Sequence, residues 1–153
     1  MNWESLAAIS EMIGAIAVIV TLIYLARQIA MSNQFAQADA WRSRFSEFTT
    51  LNAAYGVNPV FYHAMAKLHN GGLKSELNSD EEALVNSFII SVLQIYEQLF
   101  REVKSGILDQ RALDEFPGHS SFKLAIFKEQ WPFYKRILIP SLVEHMEEKY
   151  NLL

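Results

Sequence analysis

Leu6 to Ala26 read LAAISEMIGAIAVIVTLIYLA, 21 residues with one charge, Glu11. As a helix rising 1.5 Å per residue this segment spans roughly 31 Å, the thickness of a bilayer's hydrocarbon. Trp3 stands ahead of it and Tyr24 near its far end, where interfacial aromatics collect. The segment therefore predicts a transmembrane helix. A cleaved signal peptide would need Lys or Arg before the apolar run and a small-residue cleavage site after it. The amino end MNWESL has no basic side chain, and ARQIAMSNQF after the run continues in helix-compatible residues. A core helix of a soluble domain would carry a polar stripe, which 21 such residues lack.

At 100° per residue, Ser10, Gly14, Ala17 and Thr21 fall on one stripe of that helix, with Ala7 and Glu11 beside it. Ser10 and Gly14 form a small-xxx-small pair, the spacing that lets helix backbones approach closely in lipid. Glu11 lies about 7 Å from the apolar boundary at Leu6. It is read either as a carboxylate reaching the headgroups or as one at a helix–helix contact, because facing lipid costs several kcal/mol. Ala7, Ser10, Glu11, Gly14, Ala17 and Thr21 are thus the candidate oligomer interface or pore lining. No Lys or Arg precedes the segment, whereas Arg27, Arg42 and Arg44 follow it. The bias toward positive charge on the cytoplasmic side sets the amino end outside and the carboxyl-terminal bulk in the cytoplasm.

The remainder reads as helix. Met31, Phe35, Ala38, Trp41, Phe45, Phe48, Leu51 and Tyr55 recur about every 3.4 residues, near the coiled-coil period. With no Pro or Gly between residues 15 and 55, the first helix is expected to run on to Gly56, with a kink near Ser32-Asn33 and its aromatic stripe packed on the helices that follow. Asn58-Pro59 opens a short helix to about His69, stopped by Asn70-Gly71-Gly72. Ser79 with Glu82 reads as a capping box opening a helix to about Ser105, with Gly106 as its carboxyl cap. Its core face is expected to hold Leu84, Phe88, Val92, Ile95, Leu99 and Val103. Asn86, Gln94, Glu97 and Gln98 argue against a second span there. Asp109 starts a short helix before Pro117-Gly118, and Ser120 to Tyr150 is helical but divided by Pro132 and Pro140. The fold class is all-α: residues 1–29 form a transmembrane anchor and residues 30–153 a cytoplasmic helical bundle.

Composition bounds the chemistry. The 153 residues are 51% hydrophobic and 20% charged, with net charge −4 and no Cys. This excludes disulfides, thiolate metal sites and Cys nucleophiles, and gives no electrostatic reason to expect nucleic acid as a partner. The six glycines form no GxGxxG, Walker or GxSxG arrangement. His63, His69, His119 and His145 form no HExxH, and no acidic residue stands three positions before any of them. His145 and Glu148 share a helical face, best read as a solvated acidic helix end. His119 follows Pro-Gly and is placed in a loop. Glu97 and Arg101 are read as an i, i+4 surface pair beside Glu102. Lys123, Lys128, Lys135 and Arg136 interleave with Phe122, Phe127, Trp131, Phe133 and Tyr134, which reads as a snorkelling rim over an aromatic core or a face for anionic lipid. No metal or other cofactor is expected.

Trp3-Glu4, Ile9, Glu11, Gly14 to Val18, Thr21 to Ala26 and Gln28-Ile29 together resemble a recurrent pattern in a family of bacterial single-pass membrane proteins that has no assigned activity. Weaker likeness continues at Asn58-Pro59, Asp80-Glu81-Glu82, Gly106 to Asp109 and Trp131. The resemblance implies the topology and transfers no catalytic or binding residue. A second likeness is architectural: small membrane-anchored accessory proteins of RNA-targeting CRISPR systems also join one span to a helical domain, and some form pores. The Arg-x4-6-His motif of the related nucleases is absent, since Arg111 and His119 are too widely spaced.

The expectation is a non-enzymatic bitopic protein of the bacterial inner membrane that self-associates as a scaffold or interaction module, its partners the lipid bilayer, its own copies and a protein the sequence does not identify. A pore lined by the first helix, and an enzyme with a site inside the helical domain, are the alternatives.

Overall fold

The computed structural model describes residues 2–152, Ser5 by its backbone alone. The described residues are helical, with no strand. Helix α1 is Trp3–Gly56, α2 Pro59–His69, α3 Ser79–Lys104, α4 Arg111–Asp114, α5 His119–Phe122, α6 Ala125–Tyr134 and α7 Pro140–Tyr150, with a 3-10 turn at Lys74–Glu76. Two compact units are distinguished, Met1–Asp39 and Ala40–Leu153.

The first unit is the amino-terminal part of α1. Its backbone is helical without interruption through Ser32-Asn33. Every side chain described here is exposed, including Ile13, Ile16, Val20, Leu22 and Ile23 at 53–60%. Its most apolar window has a hydropathy of 2.3 and no residue covered by the chain itself. The hydropathy boundary at residue 29 and the packing boundary at Asp39 measure different things. The first marks where the oil stops, the second where other elements begin to lie alongside the helix.

The second unit is a bundle built around α3. Phe88, Ile89, Val92, Leu93, Tyr96, Leu99 and Phe100 are buried, so α3 is covered over more than the one stripe expected. The anticipated core positions Leu84 and Val103 are half-buried at its margins, while Val85, Ile89, Leu93, Tyr96 and Phe100 join the core. Although α3 is long and apolar enough to cross a membrane, half of its apolar window is buried among the other helices. Its apolarity is that of a central bundle helix.

Local chemistry sets the helix ends. Asn58 caps α2 by accepting from the amides of Val60 and Phe61, with Pro59 in the first turn. The capping box of α3 lies one residue earlier than Ser79 and Glu82. Asn78 accepts from the amides of Asp80 and Glu81, and Glu81 Oε2 accepts from the Asn78 amide at 2.9 Å. Tertiary contact selects this register, because Lys67 of α2 donates to both oxygens of Glu81 at 2.7 and 2.8 Å. That hydrogen bond, more than any other influence, holds the Glu81 carboxyl below its ordinary range. Asn78→Ala is expected to cost about 1 kcal/mol, read as a lower urea midpoint at unchanged slope; an unchanged midpoint would show that Lys67 alone fixes this end. Beyond α3, Gly106 takes φ +76, a conformation that costs a side chain its ease. The amides of Gly106 and Ile107 return to the carbonyls of Val103 and Glu102 in a Schellman closure.

Two sequence expectations change here. Pro132 does not divide a helix: it lies inside α6, two residues before the helix ends, and the break falls at residues 135–139 ahead of Pro140. The aromatic stripe of α1 packs in part. Trp41, Phe48, Leu51 and Tyr55 rest on the core, and Tyr55 meets Phe61 and Phe88 edge-on at 5.1 and 5.3 Å. Met31, Phe35, Ala38 and Phe45 are exposed. A periodic pattern identifies a face without specifying how far along it a partner reaches.

Candidate functional site

The six sequence-selected residues lie on α1 within the first unit, where one unbroken helix carries Ser10, Gly14, Ala17 and Thr21 at the expected i, i+4, i+7 and i+11 spacing with Ala7 and Glu11 beside them. All six are exposed. The hydroxyls are satisfied within the helix: Ser10 donates to the Leu6 carbonyl at 2.9 Å and Thr21 to the Ala17 carbonyl at 2.8 Å. The stripe therefore presents methyl and methylene surface without orphaned donors, as close helix contact in an apolar medium requires. Gly14 has open space around its Cα, with nothing within 4 Å of where a Cβ would stand.

The bundle offers surface clefts. One, of about 740 Å³, lies along α1 and α3 between Ser43, Ser46, Thr50 and Ala54 on one wall and Ser91 and Gln94 on the other. A neighbouring one of about 600 Å³ runs along α3 past Glu97, Arg101 and Glu102 to Ile107 and Ile137. Most of their charged groups pair with one another, while Arg44 Nε and Glu102 Oε2 are buried without a hydrogen-bond partner. Arg44 donates to Glu47 at 2.6 Å and lies 3.4 Å from Glu102, while Arg101 pairs with Glu97 at 2.6 Å. Arg44, counted above for orientation, is thus also a bridge between α1 and α3. The exposed Glu97–Arg101 pair is the surface pair anticipated from spacing, worth a few tenths of a kcal/mol.

A second cluster was hidden by sequence distance. His119 is not in a loop: it opens α5, half-buried beside Tyr96, Phe116, Phe122 and Tyr150. The close approach depends on Gly118, where a Cβ would overlap Phe116 and stand 2.9 Å from Val92. His119 Nε2 lies 2.7 Å from the Leu113 carbonyl, and Nδ1 is hydrogen-bonded to the Tyr150 hydroxyl. His145 Nε2 lies 3.0 Å from the Tyr96 hydroxyl, with Phe100 against its ring. His145 is therefore packed, and the solvated part of its surroundings is the shallow rim of Asp114, Glu148 and Lys149. Burial, followed by the charge of Lys149, lowers the affinity of both histidines for a proton. Among the described residues no group of three His, Cys, Asp or Glu converges as a metal site.

The basic, aromatic segment resolves by burial: Phe122, Phe127, Trp131 and Tyr134 are core, Phe133 is half exposed, and Lys135 reaches Glu147 at 3.5 Å. Trp131 donates its indole proton to the same Glu147 at 3.0 Å, and Tyr134 donates to Asn86 at 2.7 Å. Family models, curated proteins and solved structures give no match to this chain.

Proposed function

We propose that this protein is a bitopic protein of the bacterial inner membrane, its amino end outside, whose first helix anchors the helical bundle at the cytoplasmic face and self-associates, so that the bundle serves as a non-catalytic scaffold for protein partners. The observation that carries the reading is the apolar window of α1, hydropathy 2.3 with none of it covered by its own fold. Leaving the apolar side chains of this window in water forfeits about 25 cal/mol for each Å² of apolar surface, and lipid removes that cost without a partner. The small-residue stripe supports self-association, and the resemblance to single-pass proteins agrees with it. Arg27 and Arg42 support the orientation. The mutual pairing of charges at the larger bundle clefts supports a scaffold over a catalyst.

Native mass spectrometry of gently extracted full-length protein tests the assembly. A defined oligomer is expected, and Gly14→Leu, which places a branched side chain in the small-residue stripe, is expected to shift the population toward monomer. A monomeric wild-type chain, or an oligomer indifferent to Gly14→Leu, would overturn self-association through this face. A single closed ring of five or more subunits would replace the scaffold with the pore reading, in which Glu11→Gln should lower cation conductance.

A further inference from the structure

The uncovered face of α1 keeps one spacing through the apolar run and past its end. Ser10, Gly14, Ala17, Thr21, Tyr24, Gln28, Met31, Phe35 and Ala38 alternate steps of four and three residues without a break. All lie on the continuous helix of the first unit, and all are exposed. They are the a and d positions of a strict heptad, with Gly14, Thr21, Gln28 and Phe35 at a and Ser10, Ala17, Tyr24, Met31 and Ala38 at d. On a straight helix such a seam drifts about 20° per heptad, or about 80° from Ser10 to Ala38. Lipid imposes no period of this kind. A second helix that coils around the first follows it over its whole length.

With Leu6 to Ala26 in the bilayer, Phe35 stands about 14 Å and Ala38 about 18 Å past Ala26 along the helix, beyond a headgroup layer of roughly 5–8 Å. That end of the seam is therefore in water, where Met31 is 51% and Phe35 65% exposed. From Gln28 to Ala38 no side chain is charged, so the stretch lacks the i, i+4 ion pairs that support a solitary helix. Ser32 and Asn33 are weak helix formers. A helix with so little support of its own is held by packing along one face.

We infer that the seam is covered by the same seam of a second copy, in a parallel, in-register, two-stranded coiled coil that runs out of the membrane past Tyr24 to Ala38. The inference rests on the anchor and self-association proposed above, and assigns where that contact runs. Two copies inserted in one orientation have parallel first helices, and equal depth sets their register. In that pairing each g residue faces the e residue five positions on in the other copy. Arg27 then faces Ser32 and Gln34 faces Asp39, so no like charges meet, and the Gln34 amide can donate to the Asp39 carboxylate. These flanking positions are all polar, which keeps the seam as narrow as a two-stranded coil requires. Gln28 donates one amide proton to the Tyr24 hydroxyl at 2.7 Å. Its second proton and its carbonyl are left for Gln28 of the other copy, a match made only in register.

The chain has no Cys, so single Cys variants of the full-length protein, mildly oxidised in their own membranes, each read one position. Met31→Cys and Ala38→Cys on the water-exposed seam, and Ala17→Cys within the span, are expected to shift from 17.5 kDa to twice that mass. Asn33→Cys and Ala36→Cys lie about 200° around the helix from Met31 and Ala38, and are expected to stay at the single-chain mass. All five positions are exposed, so the substitutions leave the bundle core untouched. Linkage at Ala17 that fails at Met31 or Ala38, as when those residues lie on lipid, would overturn the coil and leave self-association standing. No linkage at any of the three would overturn both. Linkage at Asn33 and Ala36 equal to that on the seam would mark random collision, and an adduct of another mass a foreign partner. Either would overturn the inference.

Discussion

Phe122→Ala is expected to be among the most damaging single substitutions in the bundle, costing about 3–5 kcal/mol. Phe122 is fully buried, and its ring lies 5.1–5.4 Å from those of Phe127, Tyr96 and Tyr150. Removing it opens a cavity where α3, α5, α6 and α7 meet, and deprives Tyr96 and Tyr150 of the ring both pack against. Since a domain of this size is stable by about 5–15 kcal/mol in total, melting followed through Trp131 fluorescence in mild detergent should fall by more than ~10 °C. Phe133→Ala removes the same ring from a position that is 50% exposed, and should change stability by less than about 0.5–1 kcal/mol. Equal losses at the two positions would show that the core is not organised around Phe122.

Ile16→Arg combined with Val20→Arg carries the second large effect. The two positions are one turn apart on a face of α1 away from Gly14, so they leave the small-residue stripe intact. An arginine near the centre of a span costs about 2.5–3.5 kcal/mol on insertion scales, and two together cost enough to reverse insertion. The doubly substituted chain is expected to leave the alkaline-carbonate-resistant membrane pellet that retains the wild type. Retention of the variant, or release of the wild type, would remove the membrane anchor from the proposed function.

What was legible in advance follows the range of the interaction concerned. Asn58-Pro59 announced the start of α2 because capping joins atoms two or three residues apart. The end of α3 at Gly106 was legible for the same reason, since a positive φ is a demand on one residue. The capping box of α3 was misplaced by one position because Asn78 and Ser79 both suit the role locally. Lys67, fourteen residues from Glu81, decided between them. Pro132 misled because its lost N–H and its ring act locally on the turn before it, whereas burial of Trp131 and Tyr134 in the core keeps that turn helical.

The candidate site divides in the same way. Ala7, Ser10, Glu11, Gly14, Ala17 and Thr21 were placed on one face by helical periodicity alone, and the continuous α1 keeps them there. The His119–Tyr150 and His145–Tyr96 pairs had no comparable signal, because their hydrogen bonds join residues 31 and 49 positions apart. Its one sequence trace was Gly118, and that glycine's reason is the nearness of Phe116 and Val92 in space.

By itself the sequence determined the helical class, the extent of α1, the caps of α2 and the uncovered apolar segment, since these depend on hydropathy, periodicity and contacts within a turn. Only the tertiary structure decided which half of the aromatic stripe is covered, which of two residues caps α3, that α3 lies at the centre of the bundle, and that His119 meets Tyr150 and His145 meets Tyr96. Those outcomes depend on which side chains meet across long stretches of chain, and burial makes each meeting stronger than any local preference it overrides.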